Sequence, residues 1–204
     1  MSERNRVTPL GDIEAFPLRG AWTGNRGILH RDRKIVRQYA SKLWLTCALE
    51  YKDSYRELWQ PGRATFLYFF DEAVSMAAGH RPCALCRRTS YNAYREAWVR
   101  GLGGPSPTAQ QLDSRLHADR LLPGTHTRRL SSLPWRSLPD GAFVLDGDAP
   151  ELVLRDRLVT WTREGYAGSR SRPVRGDVRV ITPASTVAVL RSGYPVQIDR
   201  SASE

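Results

Sequence analysis

The chain is short of several things that would settle its class early. Three cysteines in 204 residues cannot make a complete disulfide framework, so a secreted, cross-linked scaffold is excluded. No apolar run approaches the roughly 20 residues of a helical membrane span, and the expectation is a soluble protein. The opening residues Met1 to Arg6 carry no apolar core of the kind an export signal needs, and the expectation is a cytoplasmic protein. Internal repeats and low-complexity tracts are also missing. Lysine is scarce, with three residues against 28 arginines, as a GC-rich genome alone would produce.

What the chain has in excess is positive charge. The formal net charge is +10 and the pI near 10.1, a balance that favours polyanionic partners because counterion release rewards clustered cations on phosphate. The same arginines could equally be scattered over a solvated surface. Nucleic acid, DNA in preference to RNA, is the partner this composition suggests, through Arg26, Arg31, Arg33, Arg81, Arg87 and Arg88 around a candidate metal site. Trp22, Tyr39 and Trp44 could stack bases if exposed.

Periodicity points to an α+β fold. Residues 1–20 show no sustained period and read as an irregular arm. Residues 27–30 form a short strand, and 34–39 with 43–51 pair as a hairpin across Ala40 and Ser41. In the second of these Leu43, Leu45, Cys47, Leu49 and Tyr51 share an inward face. Phe66 to Phe70 is a buried strand, Asp71 caps a short helix ending at Gly79, and a longer helix over 84–100 stacks Tyr91, Tyr94 and Trp98. The Gly- and Pro-rich stretch at 101–107 is the expected boundary between a zinc-stabilised unit over 21–104 and a mostly β half over 105–204. That second half holds a helical segment near 108–121, short strands at 142–145, 151–154, 158–161 and 178–181, and a helix opened by Thr182 and Pro183.

Chemistry concentrates at Cys83 and Cys86. A C-x-x-C pair leading into a helix leaves both sulfurs on one side and places them near backbone N–H groups that favour thiolates. Further ligands must come from Cys47 or from His30, His80, His117 and His126. Two alternatives stay open: a thioredoxin-like redox pair, for which the βαβ context is missing, and an inert buried Cys47.

The run from Phe69 to Ala73, and from Ala77 through Gly79, His80, Arg81, Pro82 and Cys83 to Cys86, resembles the second half of the Ada-type metal-binding domain. The resemblance is close over about 20 residues and looser from Gly24 to Arg100. It implies a small α+β unit folded around Zn2+, in a family that includes a DNA alkylation-repair protein and modules attached to nucleases. Cys83 and Cys86 take the last two ligand positions of the pattern, and His80 takes a position usually aromatic. The first two ligands normally lie a few residues apart, whereas here the candidates are His30 and Cys47. The resemblance thus implies a structural Cys3His site of His30, Cys47, Cys83 and Cys86, with a possible link to DNA repair. Methyl transfer is not expected, because the position that would supply the acceptor thiolate holds His30.

Outside this region, His117, Asp119 and His126 lie near Arg128 and Arg129, groups suited to general acid-base or metal-assisted phosphodiester hydrolysis. His117 and His126 are therefore the candidate catalytic residues of an alternative reading, a nuclease or other phosphoester hydrolase. A third reading is a zinc-stabilised module for protein partners.

Overall fold

The computed structural model describes residues 2–52 and 57–203 and gives a mixed α+β fold. Along the described chain the strands are β1 (Arg6–Val7), β2 (Ile13–Glu14), β3 (Trp22–Asn25), β4 (His30–Arg31), β5 (Lys34–Ile35), β6 (Leu45–Cys47) and β7 (Leu67–Phe69). After helix α1 (Glu72–Ala77) come β8 (Arg81–Pro82), α2 (Arg88–Leu102) and α3 (Ala109–Arg120). The remainder is β9 (Ser131–Pro134), β10 (Phe143–Leu145), β11 (Pro150–Leu154), β12 (Arg157–Thr162), β13 (Gly165–Ser171), β14 (Asp177–Val180) and α4 (Ala184–Arg191).

Two six-stranded sheets carry the architecture. The first runs β2-β1-β7-β3-β6-β8, with β1–β7 and β6–β8 parallel and the other pairs antiparallel. The second, β13-β12-β11-β10-β14-β9, is antiparallel throughout. Its central strands are apolar on both faces. Phe143, Leu152 and Val159 stand in register on one face and meet Ala73, Val74 and Ala77 of α1 together with Phe16. Val144, Val153 and Leu158 face the other way, onto Tyr94 and Trp98 of α2, Leu112 and Leu116 of α3, and Val187 of α4. A strand buried on both faces needs near-continuous hydrophobicity, and the sequence of β10 to β12 supplies it.

These two clusters mix residues from either side of position 105, while a third, of Val7, Ile13, Leu29, Leu67, Phe69 and Ala78, lies wholly before it. The arm expected to be irregular instead supplies β1 and β2, which pair as Arg6 with Glu14 and Val7 with Ile13 and extend the first sheet. Two-residue strands carry too little period to be read from sequence.

Helix α1 is short but thoroughly fixed. Asp71 caps it by accepting from the Val74 N–H at 2.7 Å, and all six helical residues are buried. Gly79 ends it with φ +93°, where a Cβ would press on the Arg120 side chain at 2.8 Å. Helix α3 begins with a capping box between Thr108 and Gln111. The stripe of Tyr91, Tyr94 and Trp98 on α2 is core, as its spacing requires.

Candidate metal centre

The hairpin expected at 34–51 is paired differently. Strand β5 pairs with β4 across Asp32 and Arg33, both in the left-handed region, while β6 pairs with β3 on one side and β8 on the other. The inward face of β6 is also the opposite one. Trp44 and Thr46 are buried, whereas Leu43 and Leu49 are exposed and Cys47 is half-buried. A slip of one residue exchanges the two faces of a strand, and the choice is made here by distant partners. Trp44 lies between the Arg26 and Arg120 guanidinium groups, and Thr46 bonds Ser75 at 2.9 Å.

The parallel β6–β8 pair builds the thiol cluster. Leu45 stands opposite Arg81 and Thr46 opposite Pro82, and the Cys83 N–H donates to the Thr46 carbonyl at 2.9 Å. Cys47 is thereby carried to the point where Cys83 leaves the strand. The turn over 83–86 then brings Cys86 back before α2 begins, with the Arg87 N–H donating to the Cys83 carbonyl at 3.1 Å. Gly24 permits the close packing of β3 on β6, since a Cβ there would fall 2.0 Å from the Leu45 carbonyl oxygen.

The three sulfurs of Cys47, Cys83 and Cys86 all lie within 4.8 Å of one another. A tetrahedral ion with metal–sulfur bonds near 2.3 Å spaces its sulfurs about 3.8 Å apart, so the cluster needs only small side-chain adjustments to close on one ion. Cys83 is drawn down to about 4 by the Cys47 S–H it accepts, helped by the backbone N–H groups of Cys86 and Leu85, and burial acts against this. Cys47 moves upward, because donating to Cys83 and burial both hold its proton. The Leu85 N–H to Cys83 Sγ distance is 3.4 Å. A soft, compact donor set of three sulfurs fits a thiophilic metal ion. Three cysteines are placed to bind a metal.

His30 does not join them. Among the described residues the cluster is Cys47, Cys83 and Cys86 alone, so the Cys3His set does not form. The His30 Nδ1 is 2.6 Å from Thr65 Oγ1 and its ring meets Trp59 edge-on, held there because β4 pairs with β5 and not with the cysteine-bearing strand. His80 is held by hydrogen bonds away from the thiols. It is fully buried, donates from Nδ1 to the Leu45 carbonyl and accepts Arg26 Nε–H at Nε2, and burial and the nearby Arg26 cation keep it neutral.

The six arginines expected to face nucleic acid divide in two. Arg31, Arg33 and Arg88 are exposed, and Arg33 pairs with Glu3. Arg26, Arg81 and Arg87 are interior and do not stand on the outer surface with the others. Arg81 forms a bidentate pair with Asp113, both bonds 2.8 Å, and Arg87 pairs with Glu72 at 2.6 Å while its guanidinium stacks on Trp22. Trp22 is half-buried and Trp44 buried.

His117 and His126 do approach each other through Tyr39, whose ring centroid is 5.2 Å from one and 5.1 Å from the other. Asp119 stays apart, accepting from Arg115 and from the Ser185 N–H. Among the described residues neither imidazole is paired with a carboxylate. What the sequence reading missed is the grouping of Arg26, Arg120 and Arg128 behind this ring cluster; Arg26 is remote in sequence from the other two, and no local pattern joins them. Among the described residues no helix is long and apolar enough to cross a membrane.

Comparison with protein-family models, with curated proteins and with solved structures finds no match to the chain.

Proposed function

We propose that the protein binds one zinc ion through Cys47, Cys83 and Cys86 and contacts nucleic acid, DNA in preference to RNA, through its exposed arginines. The observation that carries the metal reading is the convergence of three thiols from two strand ends and a turn. Zinc is the ion favoured because soft sulfur donors suit it and the Ada-type pattern around Cys83 and Cys86 accompanies it. Bound there, the ion ties β6, the end of β8 and the start of α2 together. Its fourth position is filled by water or by a ligand from outside the cluster. The nucleic-acid reading rests on the net charge of +10 and on Arg31, Arg33, Lys34 and Arg37 standing exposed on and after one small hairpin, with a role in DNA repair as its extension.

Metal analysis of the chain purified without chelator tests the first part. About one zinc per chain is expected, with loss in Cys83→Ser and in Cys47→Ser, and unchanged content in His30→Ala. A metal-free wild type that stays metal-free after reconstitution with zinc sinks the reading.

A further inference from the structure

Behind Trp44 lies a cation cluster with no counter-charge in contact. Arg26, Arg120 and Arg128 converge there, and among the described residues none of the three has a carboxylate within 4 Å. Their partners are neutral. Arg128 donates to the carbonyls of Ala77, Ala78 and Ile181, Arg120 to those of Gly79 and Lys42, and Arg26 to the Gly11 carbonyl and His80. The last carbonyls of α1 thus satisfy part of the hydrogen-bonding demand but carry only partial charge. Donors remain unused even so. Arg26 is 1% exposed and its Nη2 has no acceptor; the Nε of Arg128 and of Arg120 have none either.

These groups adjoin a cavity. Arg26, Arg128, Trp44, Tyr39, His126 and Asp12 contribute to the lining of a space of about 190 Å³, and of these residues His126 and Asp12 are exposed. That is below the roughly 300 Å³ at which pockets for drug-sized ligands begin, and it suits an oxyanion better than a whole nucleotide.

We propose that this cavity is a phosphate-binding site, in which Arg26 and Arg128 take the oxygens of a phosphoryl group and Tyr39 with His126 forms its rim. The site is separate from the thiol cluster and from the exposed arginines, and it stands whether or not zinc is bound. Burial presses on all three cations and repulsion from neighbouring arginines adds to it at two: Arg120 is pushed down to about 9 by burial and Arg128, Arg128 by burial alone to about 10, and Arg26 well below its usual range by burial with Arg128 and Arg120. Guanidinium groups stay protonated, so this pressure appears as a cost that a bound anion relieves. Asp12 is the opposing charge. It is exposed, lies at the cavity and repels an anion, with solvent screening the repulsion.

Titration of the full-length protein with inorganic phosphate, at pH 7 and at ionic strength held constant with chloride, tests the site by thermal shift and by 31P NMR. A saturable rise in Tm and broadening of the phosphate resonance are expected. Arg128→Gln should weaken binding at least about tenfold by removing a charge-assisted contact. Because that variant risks misfolding, the surface change Asp12→Asn is the second arm, and it should tighten binding about threefold by deleting one screened repulsion. A short oligonucleotide that displaces phosphate with the same dependence on Asp12 identifies backbone phosphate as the source. Failure of the oligonucleotide to displace it, with phosphate still bound, identifies a small phosphorylated molecule. No response to phosphate beyond that of matched chloride, in both the wild type and Asp12→Asn, overturns the proposal.

Discussion

Two groups of buried arginines flank the same short strand and are stabilised in opposite ways. On the β8–α2 side, Arg81 and Arg87 each have a carboxylate in contact, Asp113 and Glu72, with both members of each pair almost fully buried. On the α1 side, Arg26, Arg120 and Arg128 rely on carbonyl oxygens and on the Trp44 ring. The first group is closed electrically and needs nothing further. The second is hydrogen-bonded in part but left with excess charge, which is the condition under which a protein interior accepts an anion. Burial alone therefore does not distinguish a structural arginine from a binding one; the presence of a carboxylate does.

The most direct way to break the distinction is to turn a member of the first group into the second. Asp113→Ala leaves Arg81 buried and unpaired, and should cost about 3–5 kcal/mol of folding stability, read from the shift of the urea midpoint. Replacing both partners, as Arg81→Met with Asp113→Leu, should recover most of that loss, because the penalty lies in the orphaned charge. A single substitution costing under about 1 kcal/mol would show that the bidentate pair has no special role and that the contrast between the groups is false.

Asp71 and Glu72 repeat the contrast with the sign reversed. Glu72 meets Arg87, but Asp71 is fully buried and, among the described residues, has no cation in contact, accepting instead from the N–H groups of Val74 and Asp199 and from the Tyr166 hydroxyl. Burial raises its carboxyl from 3.8 to about 6, and the hydrogen bonds offset only part of that. The folded state then holds this proton more tightly than the unfolded chain does. Its contribution is fully present below about pH 4 and is lost as the pH rises through 6, amounting to about 3 kcal/mol across that window. Denaturation midpoints of the wild type and of Asp71→Asn between pH 4 and 7.5 should converge or cross accordingly, the wild type falling relative to the variant. Parallel profiles would mean that Asp71 is ionised throughout.

Which of these features the sequence disclosed depends on how local their causes are. The Asp71 cap, the apolar run that becomes β7 and the aromatic stripe of α2 are set within a few residues, and all three were legible. Cys83 and Cys86 announce themselves by spacing. The third thiol does not, because the pairing that delivers Cys47 joins strands 36 residues apart, Leu45 to Arg81. The face of β6 was misread for the same reason: alternation fits either choice in a three-residue strand, and Trp44 is turned inward by arginines from position 26 and position 120. Strand β13, rich in Gly and Ser and mostly exposed, lacks any apolar alternation to find. Arginines read from sequence default to the surface, and only the fold reveals which have an acid waiting inside.

An exposed pair completes the series and should show the smallest effect. Glu3 bridges to Arg33 on the β4–β5 hairpin and also accepts from the Trp59 indole at 3.2 Å, but the two charged side chains are 38% and 68% exposed. Water already solvates both ends, ordering two long side chains offsets much of the attraction, and salt screens the remainder. Glu3→Gln keeps a carbonyl oxygen for the indole and removes only the charge. It should change stability by less than about 0.5 kcal/mol in urea unfolding, and that difference should vanish at about 0.5 M salt. The same substitution frees Arg33, so if the hairpin faces a phosphate backbone the affinity for a short DNA duplex should rise modestly at low salt. A stability loss comparable to that of Asp113→Ala would place this pair with the buried ones and remove exposure as the variable that orders the three arginine settings.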